Sequence, residues 1–412
     1  MLARGADAGP LKIGVARVDT TPTDLTGLTN LWRKPFAGVH DHLYARALVI
    51  DNGTSKAAIV ATDLVEFGDT TSLRQRIEKE VGIPADRIIL TASHDHSAPR
   101  GGTVTPGATA QVGGAGTAAY SAWLYDRIVE ALTKAKAAEQ PARMGIGTGR
   151  AYVNISRDEF SQRENKWRLG INPDGPSEKT VWVVKFETPA GDPIAVLFNY
   201  GVHSVVAGPE NDQVTGDLAG AAERYVEAHY SDKVVALFTI GAAGDQNPTF
   251  LGPGQAKQEA APIFPTMDAE GLMLGAEVVR VANRIENPVS TARIAGGEKI
   301  ISCPTKPRQA TAGQSAEQAP DIKIHLGLIM VNDIAFTGVS GEVVTNILWH
   351  LKKASPLTNT IMITMSNDRI GYIVDDAAYG RGIFELSGSP LASGCAENGI
   401  VDGLVGLIEA NK

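Results

Sequence analysis

The stretch Thr91-Ala-Ser-His94-Asp-His96-Ser-Ala-Pro99 decides how the chain is read. It follows Arg87-Ile-Ile-Leu90, an apolar run that reads as a buried strand. The glycine-rich sequence beyond it cannot continue that strand, so two imidazoles stand two residues apart at a strand end. Side chains on a strand repeat every second residue, so both rings can face one side. Such a pair either begins a metal site or is two hydrogen-bonded polar histidines. The rest of the chain supplies further ligand-type residues, which favours the metal.

Outward from this stretch, apolar runs alternate with turn and helix signals. A period-two strand covers 11–19. Strands at 47–50 and 56–61 are joined by the hairpin signal Asp51-Asn-Gly53. Residues 72–81 form a charged amphipathic helix that Gly82-Ile-Pro84 stops, and 120–138 form a second helix. Strands at 143–147 and 153–157 precede a polar loop over 158–177. The runs 181–187 and 194–200 make another hairpin. A helix starts at Asp217, where a carboxylate suits the positive end of the dipole. Residues 234–240 are a buried strand, and 268–285 have helical spacing. Strands resume at 324–331 and 334–339. Gly341-Glu342 opens a helix to about residue 353, and a last strand covers 360–365. The expected organisation is a disordered tail over 1–10 and a single domain over 11–412. Excursions fall at 100–118 and 251–320, and the first has the length of a functional rim or lid.

The chain has 412 residues, of which 43% are hydrophobic and 20% charged, the balance of an ordinary globular protein. The net charge of −8 is dispersed, which argues against nucleic acid or an anionic membrane as partner. No apolar run approaches the roughly 20 residues that span a bilayer, and no signal peptide is visible at the start. As written the chain reads as cytoplasmic, or as secreted if a leader has been removed. Cys303 and Cys395 make neither a framework nor a metal motif; they fit a reducing compartment without requiring one.

The ligand-type residues collect where apolar strands meet glycine-rich corners: Asp63, His94 with His96, His203, Asp245, Glu342 and Tyr372. Ligands of open α/β sheets gather at such strand ends. His94, His203 and Glu342 would make a zinc site of two imidazoles and a carboxylate, with a position left for water. Zinc brings the pKa of bound water to about 7, giving hydroxide at neutral pH. Each residue also has a plainer reading, His203 as a buried histidine bonded to backbone and Glu342 as an acid in a first helical turn. Other hydrolase patterns fit worse. Ala98-Pro99 stands where a metallo-β-lactamase-type run needs Asp-His, and neither His-Glu-x-x-His nor Gly-x-Ser-x-Gly occurs. His40 and His42 form a second His-x-His of amidohydrolase type. That site would lie on a barrel, which the many hairpin signals oppose.

These motifs, taken in order, resemble the neutral/alkaline non-lysosomal ceramidase family, and specifically its amino-terminal catalytic domain. The matching segments are Gly38-Val-His-Asp-His-Leu-Tyr-Ala-Arg-Ala47, Ser93-His-Asp-His-Ser-Ala-Pro99, Asn154-Ile-Ser-Arg157, Asn199-Tyr-Gly-Val-His203, Thr215-Gly-Asp217, Gly244-Asp-Gln-Asn-Pro248, Gly341-Glu342 and Gly371-Tyr372. The resemblance implies an α/β fold of mixed β-sheets flanked by helices, and a zinc-dependent amide hydrolase. By position it implies His94, His203, Glu342 and Tyr372 as zinc ligands. His96 and Arg157 would bind and polarise the scissile carbonyl, and Tyr379 would help stabilise the oxyanion.

The chain also departs from the family pattern. Asn247 stands where the family has a serine, so a serine nucleophile is excluded while metal-bound hydroxide survives. The family's second tyrosine is Arg369 here. The sequence after Asp375 differs, and the family's carboxy-terminal immunoglobulin-like domain is not found. The expected function is therefore zinc-dependent cleavage of an amide (N-acyl) bond in a small-molecule substrate smaller than ceramide. An esterase or lactonase, a metal-dependent lyase or isomerase on a polar metabolite, and a metal-free binding protein are the alternatives. Asp63 and Asp245 are expected to orient the ligands from behind, and His40 and Asp41 to line or brace the pocket.

Overall fold

The computed structural model describes residues 8–102, 115–250, 262–307 and 319–412. Residues 1–7 of the expected tail, 103–114 of the first excursion, and 251–261 and 308–318 of the second lie outside the described residues. Where the tail is described, Gly9–Pro10 pairs antiparallel with Thr291–Ala292, so order begins earlier than expected.

In chain order the strands that build the core are β1 (Lys12–Asp19), β2 (Tyr44–Asp51), β3 (Lys56–Thr62) and β4 (Ile88–Ala92). Next come β5 (Arg143–Arg150), β6 (Asn154–Ser161), β7 (Lys166–Asn172), β8 (Thr180–Glu187), β9 (Pro193–Tyr200), β10 (Val235–Ile240) and β11 (Gln246–Pro248). The last group is β12 (Ile294–Cys303), β13 (Ile322–Val331), β14 (Ile334–Val339), β15 (Glu342–Val343), β16 (Asn359–Ile363) and β17 (Tyr372–Ile373). The principal helices are α1 (Thr71–Val81), α2 (Ala115–Ala137), α3 (Asp217–His229), α4 (Ile263–Ala282), α5 (Thr345–Ala354) and α6 (Ala396–Asn411).

The three largest sheets among the described residues are ordered β4-β3-β2-β1, β10-β9-β8-β5 and β12-β13-β14-β16, with Gln140–Pro141 added beside β1, and a smaller one is ordered β7-β6-β11. Each of the three largest mixes antiparallel hairpins with one parallel pair: β3 with β4, β9 with β10, β14 with β16. None of the described sheets closes into a barrel. The fold is the mixed α/β arrangement that the resemblance implied.

Strand alternation explains how the layers pack. On β2, Leu48 and Ile50 face a central core shared with Trp182, Phe186 and Leu197 of the second sheet and Phe336 and Ile361 of the third. Ala45, Ala47 and Val49 point the other way, onto α2 through Leu124 and Ile128. The outer face of the second sheet, with Phe198 and Phe238, packs on α3 and α4. That of the third packs on α5 and α6 through Ile347, Ile400 and Leu404. The inner faces of the three sheets thus meet one another, and helices cover their outer faces.

Four local expectations need correction. The stretch 158–177 is largely a hairpin, β6 with β7, not a loop. Its strands carry charge on both faces, with Arg168 paired to Glu159 at 2.9 Å, so no apolar period marks them. Strand β12 was unread because Gly296-Gly297-Glu298-Lys299 interrupts its apolar run, yet it pairs with β13 along its whole length. Glu342 opens no helix. It lies in β15, three residues before α5, which removes helix-dipole compensation as its explanation. Cys303 and Cys395 form a disulfide across 92 residues, a pairing that so long a separation hides in the sequence. A disulfide suits an oxidising environment better than a reducing one.

Candidate metal centre

The parallel pairs aim three sheets' carboxyl ends at one place. Strand β4 ends at Ala92 and leads to His94 and His96, β9 leads to His203, β10 to Asp245, and β14 to Glu342. Backbone hydrogen bonds stitch these corners together: His96 N–H to the Ser204 carbonyl at 3.0 Å, His203 N–H to Gln246 at 3.2 Å, and Gly244 N–H to Val343 at 2.9 Å. The free edge of β4 is capped by Asn367, whose side chain accepts from Leu90 N–H at 2.9 Å and donates to the Ile88 carbonyl at 3.0 Å.

His94 and His96 converge for a different reason than strand alternation. The strand has ended, and His94 has φ of 55°, a left-handed conformation that costs a non-glycine residue about 1–3 kcal/mol. Such strain persists only where surrounding structure holds it. Here the His94 ring is fixed by its Nδ1, 2.9 Å from the Val65 carbonyl.

His94, His96 and His203 are all buried, and their ligand atoms lie within 4.8 Å of one another. The Nε2 of His94 is 3.2 Å from that of His96 and 3.1 Å from Oε2 of Glu342. The Nε2 of His203 is 3.5 Å from the same carboxylate oxygen. The Nδ1 of His203 is 3.0 Å from the Gln246 carbonyl. A carbonyl only accepts, so both Nδ1 atoms carry hydrogen, and in the neutral rings both Nε2 atoms present lone pairs. Those lone pairs face a carboxylate that also only accepts. Such a meeting of acceptors is stable only with a proton or a cation between them. Burial, reinforced by Arg157, lowers the His203 pKa to about 4, which disfavours the proton at neutral pH. Burial, with His94 and His203, also holds His96 well below its ordinary value. Burial opposes the Glu342 charge, but His94, His203 and Arg369 outweigh it and keep this group well below the usual carboxylate range. Imidazoles and an ionised carboxylate, with His96 and His203 held neutral by burial, are the donor set that zinc takes, so the residues fit the ion.

Arg157, on β6, closes one side. Its Nη2 donates to the Tyr372 hydroxyl at 3.0 Å and to the Gly244 carbonyl at 2.6 Å, and its Nη1 to Asn247 at 3.2 Å. That Nη1 also lies 3.4 Å from His203 Nε2. Its Nε donates to Glu385 at 2.7 Å. Glu385 is fully buried and also bonded to Asp158, whose own carboxyl burial and Glu385 push up to about 8. Asp158 therefore holds a proton at neutral pH. Tyr372 and Glu342 are direct register partners in the parallel pair β17–β15. Gly341 permits this pairing, since a Cβ there would stand 2.9 Å from the Gly371 carbonyl.

The other expected residues are placed around this cluster rather than in it. Asp63 pairs with the buried Arg46 and accepts from Tyr44 N–H, each at 2.9 Å; Glu223 and Glu227 bind the same guanidinium. Asp245 caps α5 by accepting from the N–H and hydroxyl of Thr345 at 2.9 and 2.8 Å. Backbone carbonyls, not these carboxylates, orient the imidazoles. Asp41 holds the turn before α3 through Gly216 N–H at 2.9 Å and Arg224 at 2.7 Å, and His40 stacks on Phe264 at 3.7 Å. The Tyr379 hydroxyl donates to the Leu391 carbonyl at 2.8 Å. Sequence reasoning overlooked Glu385, Asp158, Trp32 and the bonds of Arg369. The Trp32 and His96 rings meet edge to face with their centres 5.0 Å apart, and Arg369 lies 3.3 Å from the outer oxygen of Glu342. Only Arg369 carried a signal, by standing where the resemblance placed a tyrosine.

The fold and the buried cluster define an α/β protein with a three-histidine centre, of a kind that could hold a metal ion. The sequence model described as neutral/alkaline non-lysosomal ceramidase, N-terminal, matches residues 11–266, and the chain belongs to that family. It is 27% identical to neutral ceramidase A of Dictyostelium discoideum over 234 residues, 52% of this chain and 32% of that protein. It is 28% identical to the neutral ceramidase of Pseudomonas aeruginosa over 263 residues, 60% of this chain and 39% of that one. The matches thus span well under half the length of these relatives. The crystal structure of neutral ceramidase from Pseudomonas aeruginosa superimposes with a TM-score of 0.78 at 17% identity, covering 98% of this chain and 75% of that one. A second structure, of a ceramidase complexed with C2, gives 0.76 at 18% identity with the same coverage. At these identities the superpositions speak for the fold alone.

Proposed function

We propose that the chain is a zinc-dependent hydrolase that cleaves the amide (N-acyl) bond of a substrate smaller than ceramide. One observation carries the reading: the Nε2 atoms of His94 and His203, whose Nδ1 atoms are held by backbone carbonyls, both face the buried Glu342 carboxylate. His94, His203 and Glu342 would hold the ion, with the Tyr372 oxygen as the fourth donor. Bound zinc supplies Lewis acidity, polarising a carbonyl and lowering the pKa of water.

The chain's own groups do the rest. Neutral His96 points its Nε2 into the cluster and can donate to a carbonyl oxygen. Arg157, locked by Glu385 and Gly244, keeps its guanidinium beside His203 and Tyr372 without moving. Oriented donors of this kind stabilise a developing oxyanion by roughly 2.7–4 kcal/mol each. Tyr379 would join them by exchanging the Leu391 carbonyl for the substrate. Family membership supports amide chemistry, and Asn247 at the family's serine position supports water as the nucleophile.

The test is hydrolysis of short N-acyl amides by protein purified without added zinc, alongside metal analysis. Near-stoichiometric zinc and products that sum to substrate plus water are expected. Metal-free active protein, or products with no water added, would sink the reading.

A further inference from the structure

We propose that the substrate carries an anionic carboxylate close to its scissile amide, as in a small N-acylated amino acid, and that Arg369, with Arg100, receives it. This rests on the amidase reading above and names its substrate class. The observation that starts it is the Arg369 guanidinium. It reaches the Glu342 outer oxygen at 3.3 Å with Nη2 and Glu66 at 2.7 Å with Nε, yet its Nη1 is buried with no hydrogen-bond partner. Buried donors seldom go unsatisfied, so an orphan N–H beside a reaction centre points to a ligand atom.

The neighbouring charges favour an anion there. Arg100 shares Glu66 with Arg369 at 3.3 Å, and Arg33 lies within electrostatic reach of Arg100. Two guanidiniums, those of Arg100 and Arg369, thus share the single carboxylate of Glu66. Clustered guanidiniums attract anionic ligands to the place where they react. A guanidinium N–H also meets a carboxylate oxygen in a charge-assisted hydrogen bond, stronger than one between neutral groups.

The wall that carries Arg33 is rigid. Asn30 accepts from Lys34 N–H at 3.0 Å and donates to the Asn211 carbonyl at 2.9 Å, and Arg33 sits at φ of 69° in the turn so formed. The same turn lays Trp32 against His96, an apolar surface next to the cationic one. One face thus suits the acyl chain and the other the charge.

The experiment compares N-hexanoylglycine, neutral N-hexanoyl-ethylamide and N-ethylsuccinamate with the zinc-loaded enzyme. At least one carboxylated amide should exceed the neutral one in kcat/KM by about tenfold or more, as expected for a charged hydrogen bond. The difference should lie in KM and shrink with added salt. Which carboxylated amide leads shows whether the charge sits on the amine or the acyl side. In Arg369→Gln the preference should fall to near unity. Arg100→Gln, further from the ligands, should lower it even if Arg369→Gln fails to keep zinc. Equal or better cleavage of the neutral amide overturns this proposal and leaves the amidase reading standing. Cleavage of none of the three overturns the amidase reading itself.

Discussion

His203 has no exposure and no charge at neutral pH, and its Nε2 lies 3.5 Å from Glu342 and 3.4 Å from Arg157. His203→Ala should therefore abolish both zinc retention and amide hydrolysis; activity that survives with the metal gone would move the centre elsewhere. The same burial sets a pH dependence in the zinc-free chain. Folded His203 titrates near 4 and the unfolded residue near 6.5, so between those values the unfolded chain binds more protons. Zinc-free parent should therefore gain stability relative to zinc-free His203→Gln as pH rises through that window, read from urea midpoints at pH 5 and pH 7. Asp158 has the opposite sign. Its folded carboxyl keeps a proton to about pH 8 while the unfolded residue titrates near 3.8, so its contribution to stability falls as pH rises between them. Asp158→Asn, which keeps a neutral partner for Glu385, should preserve activity and remove that slope. A midpoint difference from the parent that is the same at pH 5 and pH 8 would contradict a protonated Asp158.

Among the elements, those with local signals were legible. Asp51-Asn-Gly53 joins β2 to β3 with Asp51 opposite Lys56, and Gly82 ends α1 with φ of 78°. Strands with an apolar period, such as β9 and β10, were also legible, and they position His203 and Asp245. What escaped was set by tertiary context. The β6–β7 hairpin is charged on both faces, β12 holds paired glycines, and Glu342 is fixed by pairing with a strand thirty residues on that has only two residues of its own. The ligand-type residues could be enumerated from the sequence, but the second partners of Arg157 could not, because Glu385 and Asp158 are 228 and one residue away from it. The central core makes a clear demand on β2. Leu48 is fully buried where the three sheets meet, so Leu48→Ala should cost about 2–5 kcal/mol of unfolding free energy in urea titrations. A cost below about 1 kcal/mol would mean that the sheets close over the gap.

At the scale of the whole molecule, the centre draws on two separate lengths of chain. The imidazoles and Arg157 come from residues before 204, inside the segment that matches the family model. Glu342, Arg369 and Tyr372 all lie within the loop closed by the Cys303–Cys395 disulfide. Removing that bridge should loosen the second contribution, since a bridge over a loop of this length contributes about 2–5 kcal/mol. The Cys303→Ala, Cys395→Ala double variant should melt earlier and hold zinc less well than the parent at equal temperature; unchanged zinc retention would show that the loop docks without help.

The pairing of β15 with β17 has a consequence for how this chain can change over generations. Carboxylate and phenol are brought side by side by a ladder only two residues long, with Glu342 opposite Tyr372 and Val343 opposite Ile373. Moving a strand by one position turns every side chain to its other face. Lengthening or shortening the intervening surface segment around residues 355–358 leaves that ladder untouched, whereas a single codon inserted within either pair puts Val343 or Ile373 where a donor atom must be. Indels in this third of the gene should therefore be neutral or wholly inactivating, with few intermediate alleles.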